Sequence, residues 1–173
     1  SKSDAEAYIS RLNGVPAYLE QNLENARIAL ADGIQPPAFV YKYVLSDAQG
    51  VITGAPFDDS GKDSPLMGDF RKKVTSLVEN GTITQAEADQ LLDEATDALT
   101  NSVGPAYKAA IAELGEQAKT ATTDDGAWKL PDGDAYYASR LADYTTTDMT
   151  AEEIHNLGLA EVARIHDEMR GIM

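Results

Sequence analysis

Cysteine is absent, which excludes disulfides, thiolate nucleophiles, Cys-ligated zinc and iron–sulfur clusters. Histidine is nearly as scarce. His155 and His166 are the only two, so no zinc centre of three histidines can be assembled from this chain. Basic residues are in the minority, 14 Lys+Arg against 29 Asp+Glu, for a formal charge of −15 and a sequence pI near 4.3. A chain of that sign repels phosphate and anionic headgroups, so neither nucleic acid nor an anionic membrane surface is an expected partner. No apolar run approaches the ~20 residues of a membrane span. The opening Ser-Lys-Ser-Asp-Ala-Glu reads as a helix start and not as a secretory leader. Cytoplasm and periplasm are both compatible with this composition.

Present in quantity are apolar residues (43%) and charged residues (25%), the balance of a folded chain whose 173 residues can bury a core unaided. Their spacing is helical throughout. Ser3 and Glu6 read as a capping box opening a first helix, along which Tyr8, Leu12, Val15, Leu19, Leu23, Ala26 and Leu30 recur every three or four residues. Pro16 predicts a kink near Asn13, and Gly33 a C-terminal stop. A second helix is expected over about 38–47, with Phe39, Val40, Tyr43 and Val44 on its apolar side. Residues 50–63 read as a loop, with a short extended pair possible near 50–56. Ser64-Pro65 starts a third helix, with Phe70, Val74, Leu77 and Val78 inward.

Thr84 and Glu87 form a second capping box. The helix behind it is expected to reach about Lys119 on a stripe containing Ala88, Leu92, Ala95, Leu99, Val103, Tyr107 and Ile111, with a kink at Gly104-Pro105. A loop carrying Trp128 follows, then a short helix capped by Asp132 or Asp134. Thr150 and Glu153 open a last helix whose face holds Ile154, Gly158, Val162, Ile165, Met169 and Ile172. The fold class is all-α: kinked long helices in an irregular bundle, with 1–173 as a single helical domain or subdomain.

Chemistry is harder to find. His155 and His166 lie eleven residues apart, ~16 Å along a helix axis, too far to share a metal. The bland reading of His155 is a partly buried histidine donating to a carbonyl or carboxylate; a substrate contact is the alternative. Asp58-Asp59, Asp124-Asp125 and Asp132/Asp134 do not meet the EF-hand pattern and read as loop and cap residues. Asn80-Gly81-Thr82 matches a glycosylation sequon but also an ordinary helix end. Tyr136 and Tyr137 diverge by about 100° if helical, and core packing is the plainer reading for both. There is no Gly-x-Ser-x-Gly elbow and no phosphate loop, and no carboxylate pair stands out among the 29 acids. No catalytic residue and no metal ligand is assigned.

The stretch LPDGDAYYASRLADYTTTDMTAEEIHNLGLAEVARIHDEM, Leu130 to Met169, closely resembles a segment of the bacterial domain-of-unknown-function family numbered 885. YISRLNGVPAYLEQNLENARIALADGI (Tyr8 to Ile34) and VGPAYKAAIAEL (Val103 to Leu114) are similar to its upstream helices, in the same order. That resemblance implies a large, mostly helical protein, exported or lipid-anchored, similar to helical zinc peptidases of the carboxypeptidase type. The zinc motif of such proteins, a His-Glu-x-x-x-Gly-His-like sequence, lies downstream of the segment matched and is missing here. The chain is therefore expected to be a piece of a larger hydrolase, holding no cofactor itself, with zinc implied for the parent and a periplasmic or envelope-anchored location. By the same resemblance Tyr136, Tyr137, Thr146 and His155 are candidates to face a substrate channel, of which these helices would form a wall or lid. The remainder of the parent is the expected partner, with homo-oligomers through exposed apolar faces a second possibility. The competing reading is a stand-alone acidic helical scaffold or interaction module, whose surface should lack a contiguous apolar patch.

Overall fold

Local capping chemistry sets most helix starts. The computed structural model describes residues 1–173 and contains seven α-helices: α1 (Lys2–Ala31), α2 (Ala38–Val51), α3 (Pro65–Glu79), α4 (Gln85–Ala98), α5 (Gly104–Ala118), α6 (Gly133–Thr145) and α7 (Ala151–Ile172). A π-helical turn, Leu99–Val103, joins α4 to α5, and a 3-10 turn, Ala127–Lys129, precedes α6. About 76% of residues are helical and there is no sheet, so the fold is all-α. The chain gathers into two compact units, Ser1–Thr123 and Asp124–Met173.

At Thr84 and at Thr150 the hydroxyl accepts the backbone N–H three residues on, and the Glu there accepts the threonine N–H in return. Ser64 caps α3 by accepting from the Met67 N–H, with Pro65 in the first turn where its missing N–H costs nothing. The first box is displaced from its expected place. Ser1 and Asp4 form it, not Ser3 and Glu6, and the terminal ammonium of Ser1 adds a 3.0 Å contact to Asp4.

In the first unit α1, α3 and the α4–π–α5 rod enclose one core: Ala5, Ile9 and Leu12; Met67, Phe70 and Val74; Ile83, Ala88, Leu91, Ala95, Ala98, Leu99 and Val103. Small buried alanines at 88, 95 and 98 let neighbouring backbones come close, as dense packing requires. α1 runs through Pro16 as one assigned helix. The interruption expected at Gly104-Pro105 instead takes the form of the π-turn just before it, which leaves Pro105 in the first turn of α5. Pro16 and residues of the π-turn line a common crevice, and Ser102 Oγ donates to Asn13 Oδ1 at 2.8 Å. Arg27 fastens α1 to α5 through Glu113, with Nε to Oε1 at 2.8 Å.

α2 corrects two expectations. It continues through Gly50 to Val51, past its predicted stop, and Ile52 just beyond it is buried. Its inward residue is Tyr41, because α2 packs on α5 and the Tyr41 hydroxyl meets Gln117 Oε1 at 3.5 Å. Phe39, Tyr43 and Val44, read as the inner face, are exposed.

No extended pair forms within 50–56. A single parallel bridge joins Ala55 to Asp63 across the loop: the Ala55 N–H donates to Lys62 O, and the Ser64 N–H to Ala55 O. Gly54 has φ +100°, and a Cβ there would come within 2.6 Å of the Ser64 nitrogen, so this closure needs glycine. Asp58 ties the same loop by accepting the N–H groups of Gly54 and Ser60.

The Lys2–Glu87 ion pair, 2.8 Å, connects the start of α1 to the start of α4. Lys2 and the Thr84 N–H and hydroxyl hold the Glu87 carboxyl down at about 2, against an ordinary 4.5. A carboxyl depressed on folding adds stability above its unfolded pKa, and that contribution disappears as pH falls through the folded one. Acid titration followed by circular dichroism should therefore show this contribution fading between pH 4.5 and about 2. Lys2→Met should move the acid midpoint to higher pH; an unchanged midpoint would mean the pair does not contribute.

In the second unit only Gly133 is buried. A Cβ at that position would meet the Ala127 carbonyl at 2.1 Å, which is how the 3-10 turn seats on α6. Asp132 occupies the N-cap of α6 but makes no side-chain capping bond. No residue of α7 is buried. Its predicted apolar stripe exists, but within this unit nothing covers it.

Candidate functional site

All four channel candidates lie in the second unit. Tyr136 and Tyr137 stand side by side on α6, 52% and 50% exposed, so neither is the core residue that the plainer reading expected. The reason is that within its unit α6 packs chiefly against the 3-10 turn at Gly133, which leaves both rings uncovered. Tyr137 lines a cavity of about 380 Å³ with Asp134, Leu141, Asp148 and Met149, where α6 turns toward α7. Tyr136, Thr146 and His155 are not in that lining.

Thr146 ends α6 in the left-handed region at φ 55°, a conformation uncommon for threonine. Its N–H donates to Ala142 O at 2.9 Å, and its hydroxyl to Thr145 O at 2.7 Å, so both groups serve the helix stop. His155 is exposed in the second turn of α7, so the partly buried histidine read from the sequence is not what the fold provides. The structure thus places Tyr137 in a cavity and does not bring the other three to it.

No three His, Asp or Glu side chains converge in a geometry able to hold a metal ion. The residues present do not fit the zinc that the resemblance implies for the parent, and no chemical step can be routed through it here. Arg71-Lys72-Lys73 is the only basic triplet in an acidic chain; Lys72 and Lys73 line a cavity between α1 and α3, while Arg71 pairs with Asp63. Phe39 and Tyr43 on α2, read from the sequence as inward, form a second exposed apolar feature.

The fold and these surroundings define an all-helical protein with one closed core and a second unit of uncovered helices. The chain belongs to the family of bacterial proteins of unknown function DUF885, whose model matches residues 1–173. It is similar in structure to a crystal structure from Colwellia psychrerythraea, described as a "putative lipoprotein". The TM-score is 0.82 over 98% of this chain, at 22% sequence identity. At that identity the likeness shows the fold alone. The chain spans 28% of the length of that protein. No curated protein matches it. No helix is long and apolar enough to cross a membrane.

Proposed function

We propose that this chain is the non-catalytic helical part of a larger zinc-dependent peptidase, forming a wall or lid of its substrate channel and inactive alone. The observation that carries this reading is α7: a helix of 22 residues, none of them buried, with Val162, Ile165 and Met169 each 43–53% exposed. Apolar residues repeated along an uncovered helix mark a surface made to be packed against. The family resemblance names what would pack there, the downstream part carrying the zinc motif. The length of the Colwellia protein supports a parent of that scale. Its lipoprotein description supports a periplasmic or envelope-anchored parent.

In the parent, Tyr136 and Tyr137 offer two half-exposed aromatic rings for substrate side chains, with Thr146 and His155 on the same unit. The test compares the 173-residue chain with the full-length parent. The chain should bind no stoichiometric zinc and hydrolyse no peptide, whereas the parent should bind one zinc and lose hydrolysis to a chelator. Tyr136→Ala with Tyr137→Ala in the parent should raise KM more than it lowers kcat. Zinc-dependent hydrolysis by the chain alone, or a full-length parent without zinc, would overturn the proposal.

The other reading, a helical interaction module, draws on the self-contained core of the first unit. It predicts that the chain expressed alone is a stable monomer with a partner of its own and that the parent lacks peptidase activity.

A further inference from the structure

A groove of about 550 Å³ lies between α1 and α3, within the size range of small-ligand sites. Successive turns of α1 present Asp4, Tyr8 and Arg11 to it, and α3 presents Asp69, Lys72 and Lys73. The floor is apolar. Tyr8 stacks on Phe70 with ring centroids 5.0 Å apart and planes 12° from parallel, and Val74 and Leu77 extend the same surface.

The rim carries charge that does not cancel. Asp4 is engaged by the ammonium and hydroxyl of Ser1, and Asp69 by Lys73 Nζ at 2.6 Å. Asp69 is thereby neutralised, and Asp4 also feels the Arg11 charge; even without the terminal ammonium, Arg11, Lys72 and Lys73 against Asp4 and Asp69 leave the rim net positive. Arg11 on one wall and Lys72 on the other form no ion pair, although each lines the cavity. Tyr8 has its hydroxyl 3.5 Å from Leu66 O, the outer limit of a hydrogen bond, and burial raises its pKa, so at neutral pH it remains a donor with capacity to spare. In a chain of net charge −15, this is a local reversal of sign over an aromatic floor.

We propose that the groove binds small carboxylates carried on an apolar or aromatic body. The body lies on Tyr8, Phe70 and Leu77, and the carboxylate is shared between Arg11 and Lys72. A bare inorganic anion would leave the apolar floor wet, and an amine would meet two unpaired cations. The groove lies wholly within the first unit, so this proposal stands apart from the peptidase reading.

The test is titration of the 173-residue chain with 4-phenylbutyrate, its neutral analogue 4-phenylbutanamide, and 4-phenylbutylamine. Binding is followed through the methyl resonances of Val74 and Leu77 and the ring resonances of Tyr8. Saturable shifts confined to these residues are expected with the carboxylate, with the amide about threefold or more weaker and the amine without effect. Arg11→Gln together with Lys72→Gln should reduce the carboxylate to the affinity of the amide, with the melting temperature unchanged. Equal affinity for carboxylate and amide, shifts elsewhere, or no shift at millimolar ligand would each overturn the proposal. The comparison of carboxylate with amide needs no variant and holds even if the double substitution disturbs folding.

Discussion

Leu99→Ala is expected to lower the unfolding free energy by about 2–5 kcal/mol. Leu99 is 1% exposed and sits in the π-turn beside Val103, which is fully buried, at the centre of the cluster that α1, α3 and α4 share. Truncation there removes buried methyl groups and leaves a cavity. The walls of that cavity are helices held at both ends, by the Thr84–Glu87 cap and by Arg27–Glu113. Collapse to fill it is therefore restricted, which places the cost within that range and not below it. Urea unfolding should show a lower midpoint with an unchanged slope. Val162→Ala on α7 is the internal control. At 51% exposure it should change stability by less than about 0.5 kcal/mol. A Leu99 effect as small as that of Val162 would mean that the stripe through 88–103 is not the core.

The contrast between Leu99 and Val162 also marks where the sequence stopped being readable. Both lie on regular apolar stripes, and periodicity reports only that a helix has an apolar side. Caps were legible because their chemistry is local: Ser64-Pro65, Thr84 with Glu87, and Thr150 with Glu153 all stand where their residue types place them. Which side of a helix turns inward depends on its neighbours. α2 illustrates this, burying Tyr41 against α5 while Phe39, Val44 and a second tyrosine, Tyr43, remain outside.

The π-turn was invisible for a related reason. Gly104-Pro105 announces a disturbance, but the form it takes is decided by what it packs on. Here the Phe57 ring lies 3.3 Å from where a Gly104 Cβ would stand. Likewise, the bridge from Ala55 to Asp63 depends on a turn closed by Gly54 and tied by Asp58, contacts that no spacing rule encodes. Of the candidate site, Tyr136 and Tyr137 stand out only through the family resemblance; their residue types alone read as core, whereas both are half exposed. The groove between α1 and α3 was not legible, because Tyr8 and Phe70 meet only through the tertiary fold.

The second unit carries the central claim, that these helices are completed by a larger protein. A single helix of about twenty residues gains little from propensity alone, and most helical stability in proteins comes from packing an apolar face. With no buried residue, α7 lacks that contribution in the isolated chain. The first unit does not: residues such as Ala95 and Val103 are wholly enclosed, and amides in α4 are expected to open only with the global unfolding of its core.

Hydrogen exchange read by mass spectrometry, on the 173-residue chain and on its full-length parent, tests this most directly. In the chain alone, amides of Ala151–Ile172 should exchange about a thousandfold faster than those of Gln85–Ala98. In the parent they should slow to the rate of α4. Protection of α7 equal to that of α4 in the isolated chain, or rapid exchange of α7 in both proteins, would contradict the account.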